Sequence, residues 1–340
     1  PIYVYTPWVS PRVTELFAPL DEYMQQAPIE QWDDIFEGLR ASLEIDGSLY
    51  GVPMRAGSDG AIIYNKAIFR ERGVEELPET WEELVGLAEE LTFTRADGEK
   101  VYGLVDMGVK QEAPFSLGRW IRTRNGDFMT LDYEVVVNSP EVVETLEEYK
   151  ALYDAGALGP NWNSQTNSDR INIFKNGRAA MTGAGADYVG RLSGDDGIPR
   201  EDIGVFAIPP AEGYDVTHPI VFQWAFVIPQ GSENKDAAWE LIRYMSSQES
   251  TLQMALSGNA PVRASTFENP EFTGDLAYDP DVKLSSLQNG RILFPGFDNF
   301  PEARDFLGEQ IQKIVLGEVG IEEGLQTAQE RLEDLAPDLE

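Results

Sequence analysis

The sequence predicts a layered α/β protein built as two lobes, and three observations carry that reading. At 340 residues the chain is longer than one ordinary hydrophobic core accommodates. Its first hundred residues alternate strand-like and helix-like segments, as in a sheet with helices on both faces. Its composition, 42% hydrophobic and 11% aromatic without a low-complexity tract, is that of a folded globular protein, and no apolar run approaches the length of a transmembrane helix.

Taken in order, the alternating pieces are Ile2–Tyr5, Val13–Met24, Ile35–Leu43, Leu49–Met54 and Ala61–Tyr64. A helix then begins after Thr80. Thr80 and Glu83 form the T-x-x-E pattern of a capping box, and Trp81, Leu84, Val85, Ala88 and Leu91 fall on one helical face. Val101–Val105 is a short strand, and the Gly- and Pro-bearing passage from Met107 to Pro114 is a candidate crossover between lobes. Ser139-Pro140 starts a helix that Gly156 ends. Phe174–Met181 reads as a helix end, a turn at Asn176-Gly177 and a strand, with further strands at Ile203–Pro209 and Phe222–Pro229. Ser232–Ser257 reads as helical, stopped by Gly258-Asn259; residues 266–300 read as mostly irregular, and two amphipathic helices close the chain.

The formal charge of −33, from 26 basic and 59 acidic residues, argues against nucleic acid and anionic membrane as partners, because both need clustered Lys and Arg. An acidic surface of this kind favours solubility and suits salty surroundings, where screening relieves self-repulsion. With no Cys and a single His, His218, thiol nucleophiles and Cys zinc sites are excluded. No Ser lies in a G-x-S-x-G context, no D-x-D-x-D-G calcium loop is present, and Asp195-Asp196-Gly197 reads as a turn. GAGADYVG at 183–190 lacks the third glycine of a dinucleotide fingerprint, so no cofactor is expected.

Five segments carry a more specific signal. They are LYGVPM at 49–54, YNK with the following P-x-T-W-x-E-L at 64–84, FKNGRAAM at 174–181, WAFVIPQGSENKDAAWELIRYM at 224–245 and GNAPVRAS at 258–265. In this order, and with the closing helix pair, they resemble the extracellular solute-binding proteins of sugar-type ABC importers, the maltose-binding-protein-like family. The resemblance implies a periplasmic-binding-protein type II fold, with two α/β lobes that close over a ligand by hinge bending. The lobes are expected at 1–107 plus 230–296 and at 108–229 plus 297–340. The family's usual first strand, helix and second strand have no counterpart before Pro1, as in a chain from which residues are omitted. No signal peptide opens the chain, as in a processed or trimmed protein.

Sugar recognition needs aromatic faces for the apolar side of a ring and planar polar groups for its hydroxyls. Trp8 follows the first strand at its carboxyl end, where clefts lie. Trp224 stands where the family's strand nears the hinge, and Trp162 sits in a polar loop that suits a cleft wall or a surface cap. Trp32, Trp81, Trp120 and Trp239 are assigned to packing. The resemblance points Arg55, Ser58 and Asp59, after the LYGVPM strand, toward the cleft, although Asp-Gly is also ordinary turn chemistry. It points Arg263 there too, with a structural ion pair as the alternative. Asp187 and Tyr188 follow the AAM strand, and Gln111 and Glu112 follow the candidate crossover. Asp187 stands where the family more often has an aromatic.

The function implied is non-catalytic: capture of a mono- or oligosaccharide and its delivery to ABC permease subunits, by a monomer that is periplasmic or extracellular, free or lipid-anchored. The alternatives are a binding protein for an anionic or other non-sugar solute, which Arg55 and Arg263 would suit, and a carbohydrate-active enzyme.

Overall fold

A computed structural model describes residues 1–5, 10–194, 197–257, 259–274 and 276–337. Trp8, the Asp195-Asp196 turn and the helix stop at Gly258 lie outside the described residues.

The described strands are β1 (Ile2–Tyr5), β2 (Glu44–Ile45), β3 (Ser48–Leu49), β4 (Val52–Ser58), β5 (Ala61–Asn65), β6 (Phe93–Thr94), β7 (Lys100–Leu104), β8 (Ala179–Ala184), β9 (Ile203–Ala207) and β10 (Val221–Val227). They form a three-stranded antiparallel sheet in the order β1-β10-β4, a five-stranded sheet in the order β6-β7-β8-β5-β9 and the hairpin β2-β3. Among the described strands only the β7–β8 pairing is parallel. In the five-stranded sheet neighbouring residues serve different cores. Ile62 packs with Trp81, Leu117 and Trp120, and Ile63 with Phe174, Val189 and Leu192. Helices therefore cover both faces, as alternation along a central strand requires.

The strand pairing corrects the expected lobe boundaries. β5 and β7, placed by sequence in the first lobe, pair with β8 and β9. β10, placed in the second lobe, pairs with β1 and β4. The chain changes sheet at Asp59-Gly60, between β4 and β5, and not at Met107–Pro114, where a helix, Ala113–Ile121, begins with Pro114 in its first turn. Two adjacent apolar strands look alike in sequence whether they share a sheet or not, so hydrophobic pattern could not locate this crossing. Gly60 marks it physically: a Cβ there would lie 2.2 Å from Ser286 Oγ and 2.6 Å from Pro219.

Three links join the lobes and lie side by side. The Asp59 N–H donates to Ile220 O, the Val221 N–H to Arg291 O and the Arg291 N–H to Pro219 O, each at 2.9 Å. These bonds pair backbone groups at the sheet ends and in the links that would otherwise need other partners.

The helix Trp81–Glu90 starts as its sequence predicts, with Thr80 Oγ1 accepting from the Glu83 N–H. The return bond differs: Glu83 accepts from the Glu79 N–H, one residue before the cap. Trp81 and Trp120 are fully buried and stack at 4.8 Å, as core aromatics do. The stretch 232–257 is two helices, Lys235–Met245 and Gln248–Leu256, the second capped by Ser247. The segment 266–300 is less irregular than expected, since Asp279 caps a helix over Pro280–Gln288 whose Pro occupies the first turn.

Gly103 on β7 lies directly under the Trp81–Glu90 helix; a Cβ there would come within 1.7 Å of Ala88 O. Backbone cannot step aside as a side chain can, so Gly103→Ala is expected to lower stability by about 2–3 kcal/mol through overpacking. A urea titration checks this, and an unchanged midpoint would contradict the packing described.

Candidate binding cleft

The two sheets and the crossing links enclose a cleft of about 440 Å³. Its first wall comes from β4 and β10. On β10 the odd-numbered Val221, Gln223, Ala225 and Val227 are buried, while Phe222 and Trp224 are half-buried and line the cleft. The period of two along a strand thus sets both aromatics on the same side. Arg55, opposite Trp224 in the register, places its guanidinium 4.4 Å from that ring's centre but does not itself line the cleft.

The floor is the first crossing link. Ser58 and Asp59 line the cleft and are buried. Asp59 Oδ2 accepts from Arg119 Nε at 3.0 Å and Nη2 at 2.5 Å. Arg119 Nη1 reaches Asp106 Oδ1 at 3.0 Å, and Asp106 also accepts from Ser116 Oγ, Trp120 Nε1 and its neighbour's N–H. Burial opposes the charge on Arg119, but the two carboxylates overcome it and hold the guanidinium pKa well above its ordinary value.

The second wall carries Met107, Gln111, Glu112, Phe115, Asn167, Arg170, Gly185, Asp187, Tyr188 and Arg304. The helix Asn167–Lys175 opens with a true capping box, Thr166 with Asp169. Glu112 accepts the Asn167 N–H at 2.8 Å, which sets a carboxylate on that helix's positive end. Arg170 donates to Asn167 Oδ1 at 2.7 Å and to Gly183 O. The glycines of GAGAD have packing reasons. A Cβ on Gly183 would meet Arg119 and Trp120 at 2.7 Å, and one on Gly185 would meet Ser58 O at 2.6 Å.

Asp187 links the two lobes. Its Oδ1 lies 2.7 Å from Nζ of Lys283, a buried lysine on the helix whose Leu287 packs in the core of the first lobe. Burial works to raise the Asp187 pKa, but Lys283 outweighs it and the carboxyl sits below its usual 3.8. Arg304 is paired with Asp305 at 2.6 Å.

Of the site residues chosen from sequence, Ser58, Asp59, Gln111, Asp187, Tyr188 and Trp224 are brought together in this cleft, with Glu112 beside them. Two are placed elsewhere. Arg263 is fully buried and donates to the carbonyls of Ser246, Gln31 and Glu30 and to Asp34. Those carbonyls include the end of the Lys235–Met245 helix, where a cation is favoured, so its place is structural. Trp162 is also buried, donating to Tyr149 Oη at 3.0 Å and packing on Gly108. Its polar neighbours Asn161, Asn163 and Ser164 face solvent while the ring turns inward. Sequence reasoning missed Phe115, Phe222, Asn167, Arg170 and Arg304. Phe222 was legible, two residues before Trp224 on one strand face; Arg170 gives no such signal.

With this geometry in place, the comparison with known proteins is direct. The chain belongs to the bacterial extracellular solute-binding protein family, whose model matches residues 2–251. It is 25% identical over 326 residues to a binding protein of Brucella abortus, covering 92% of this chain and 73% of that one. It is 27% identical over 256 residues to the erythritol/L-threitol-binding protein of Mycolicibacterium smegmatis, covering 70% of this chain and 52% of that one. Its fold matches the ribitol-bound ABC transporter solute-binding protein of Agrobacterium radiobacter K84 with a TM-score of 0.81, at 23% identity, over 98% of this chain and 84% of that one. The two-lobed fold is thereby shared.

The Asp187–Lys283 pair yields a pH dependence with a definite sign. A carboxyl whose folded pKa is depressed contributes stability above its unfolded value and loses it as pH falls through the folded value. The melting-temperature difference between wild type and Lys283→Met should hold steady from about pH 8 to about pH 5 and shift against the wild type below about pH 4. A difference independent of pH would show that the pair contributes nothing.

Proposed function

We propose that this protein captures a neutral polyhydroxy ligand, a sugar or sugar alcohol, in the cleft between its lobes and hands it unchanged to the permease of an ABC importer. The observation that carries the reading is the balance of the cleft. Aromatic faces at Trp224, Phe222, Phe115 and Tyr188 share the lining with residues whose buried polar atoms lack partners, Ser58 Oγ and Arg170 Nε. Such atoms are costly to bury unless something bonds them. A molecule with apolar C–H faces and many hydroxyls satisfies both halves of this lining.

Charge separates this reading from an anionic ligand. Asp59 is matched by Arg119, Asp187 by Lys283 and Arg304 by Asp305. Among the described lining residues one charge of each sign, Arg170 and Glu112, then remains without an ion pair. A phosphate or carboxylate would meet no surplus of positive charge to offset its desolvation. Ribitol and erythritol or L-threitol, the ligands of two of the similar proteins, are neutral polyols and fit this lining, while other similar proteins bind sn-glycerol 3-phosphate.

The mechanism we infer is ligand-stabilised closure about the three hydrogen-bonded links, with the closed form recognised by the permease. No covalent step is assigned to the cleft. The protein acts as a periplasmic or extracellular monomer; among the described residues no helix is long and apolar enough to cross a membrane. The strongly acidic composition speaks against a nucleic-acid partner.

Thermal-shift and calorimetric titration with erythritol, ribitol, D-mannitol, maltose and sn-glycerol 3-phosphate tests the reading. A neutral member of this panel should raise the melting temperature, with affinity little changed by added salt, and be recovered intact by NMR. Trp224→Ala should weaken that binding by about tenfold or more. Binding confined to the phosphate, or turnover of the sugar, would overturn it.

A further inference from the structure

We infer that Arg119, which does not line the cleft, is a positioning residue for ligand recognition: it fixes Asp59 so that one carboxylate oxygen is held at a crossing link and the other is presented to the ligand. The inference rests on the cleft being the ligand site.

Three observations carry it. Both of Arg119's bonds to Asp59 go to Oδ2. Oδ1 has no hydrogen-bond partner among the described residues, while Asp59 lines the cleft. Asp59 belongs to the link between the sheets, and its N–H is bonded to Ile220 O of the second link. The arginine is itself immobilised at its far end by Asp106, a fully buried carboxylate with four further donors. β8 makes room for the side chain by placing Gly183 against it.

Stability alone is a poor reason for such a cluster. Buried ion pairs cost much of what they return, and apolar replacements of similar volume are often as stable. What the guanidinium supplies is geometry: a planar fork that spans two carboxylates at set distances, which an ammonium cannot do. An acceptor locked in this way discriminates between ligands that offer a hydroxyl at that point and those that do not, because the mismatched ligand leaves a buried acceptor oxygen without a donor.

The test is a double-mutant cycle in the full chain, with Arg119→Met, Asp59→Asn and the two combined. The readout is calorimetry with whichever of erythritol, ribitol, D-mannitol and maltose binds the wild type. Each single variant should weaken binding by about 10- to 100-fold. The double variant should be weaker than either single by no more than about threefold, because Arg119 acts through Asp59. Effects that multiply, or an Arg119→Met protein that binds as wild type, would overturn the inference. If Arg119→Met does not fold, Arg119→Lys keeps the charge without the fork, and the same non-additivity is required of it. Hydrogen exchange provides a readout independent of any ligand. Arg119→Met should strip protection from the Asp59 amide while the strand Lys100–Leu104 keeps its own, and loss throughout the second lobe would indicate a merely structural role. If no neutral probe binds the wild type, the proposed function fails, and the exchange result alone decides whether Arg119 holds the link.

Discussion

Two lobes that share a cleft need the segments between them to be close enough to move together and thin enough to bend. Here the bonds among Asp59, Pro219, Ile220, Val221 and Arg291 meet that demand. They bind three links into one narrow ribbon, each link bonded by its backbone to a neighbour. Gly60 lets the first link pass against Pro219 and the helix bearing Ser286. Everything that lines the cleft is placed relative to this ribbon: β4 and β10 enter it from one side, β5 and β9 leave it on the other.

The same ribbon explains why the groups lining the cleft sit where they do. Ser58 and Asp59 are part of a link, so a ligand that bonds them touches both lobes' shared backbone. Asp187 and Lys283 add a contact from lobe to lobe at the cleft. Trp224 and Phe222 lie within a few residues of Val221, where β10 meets the ribbon. Aromatic surface, acceptor oxygens and the hinge are thus one connected region, which is the condition for differential contacts to bias open against closed.

Much of this was legible in the sequence, and the failures have physical causes. The strands, the capped helix at Thr80 and the buried Trp81 and Trp120 follow from local periodicity and capping, which a single chain displays. Lobe boundaries depend on which strands pair at long range, and the two neighbouring segments at Leu49–Met54 and Ala61–Tyr64 carry no local sign that β4 and β5 join different sheets. Arg263 and Trp162 were drawn toward the cleft because Arg and Trp are the residues of ligand sites. Their destinations were decided by groups far away in sequence: the Glu30 and Gln31 carbonyls for one, Tyr149 for the other. Arg170 was invisible for the converse reason. Its neighbours Ser168 and Asp169 are exposed, and only the tertiary approach of Gly183 buries it.

The distribution of charge gives the acidic composition a structural meaning. Among the described residues the buried charged side chains are Arg119, Arg122, Arg124, Arg170, Arg263 and Lys283 against only Asp59 and Asp106. Several of these arginines serve backbone carbonyls: Ile292 O for Arg122, Gly183 O on β8 for Arg170, and Ser246 O after the Lys235–Met245 helix for Arg263. A guanidinium carries five donors and no acceptor, so it suits that task as no carboxylate can. The interior therefore withdraws cations from a chain already at −33, and the surface is more acidic than composition suggests. Self-repulsion of that surface is long-ranged and yields to salt, whereas the paired charges of the cleft are short-ranged and partly buried and yield much less. The surface and the cleft are in this way placed under separate electrostatic control, the first by the medium and the second by the fixed pairs around Asp59 and Asp187.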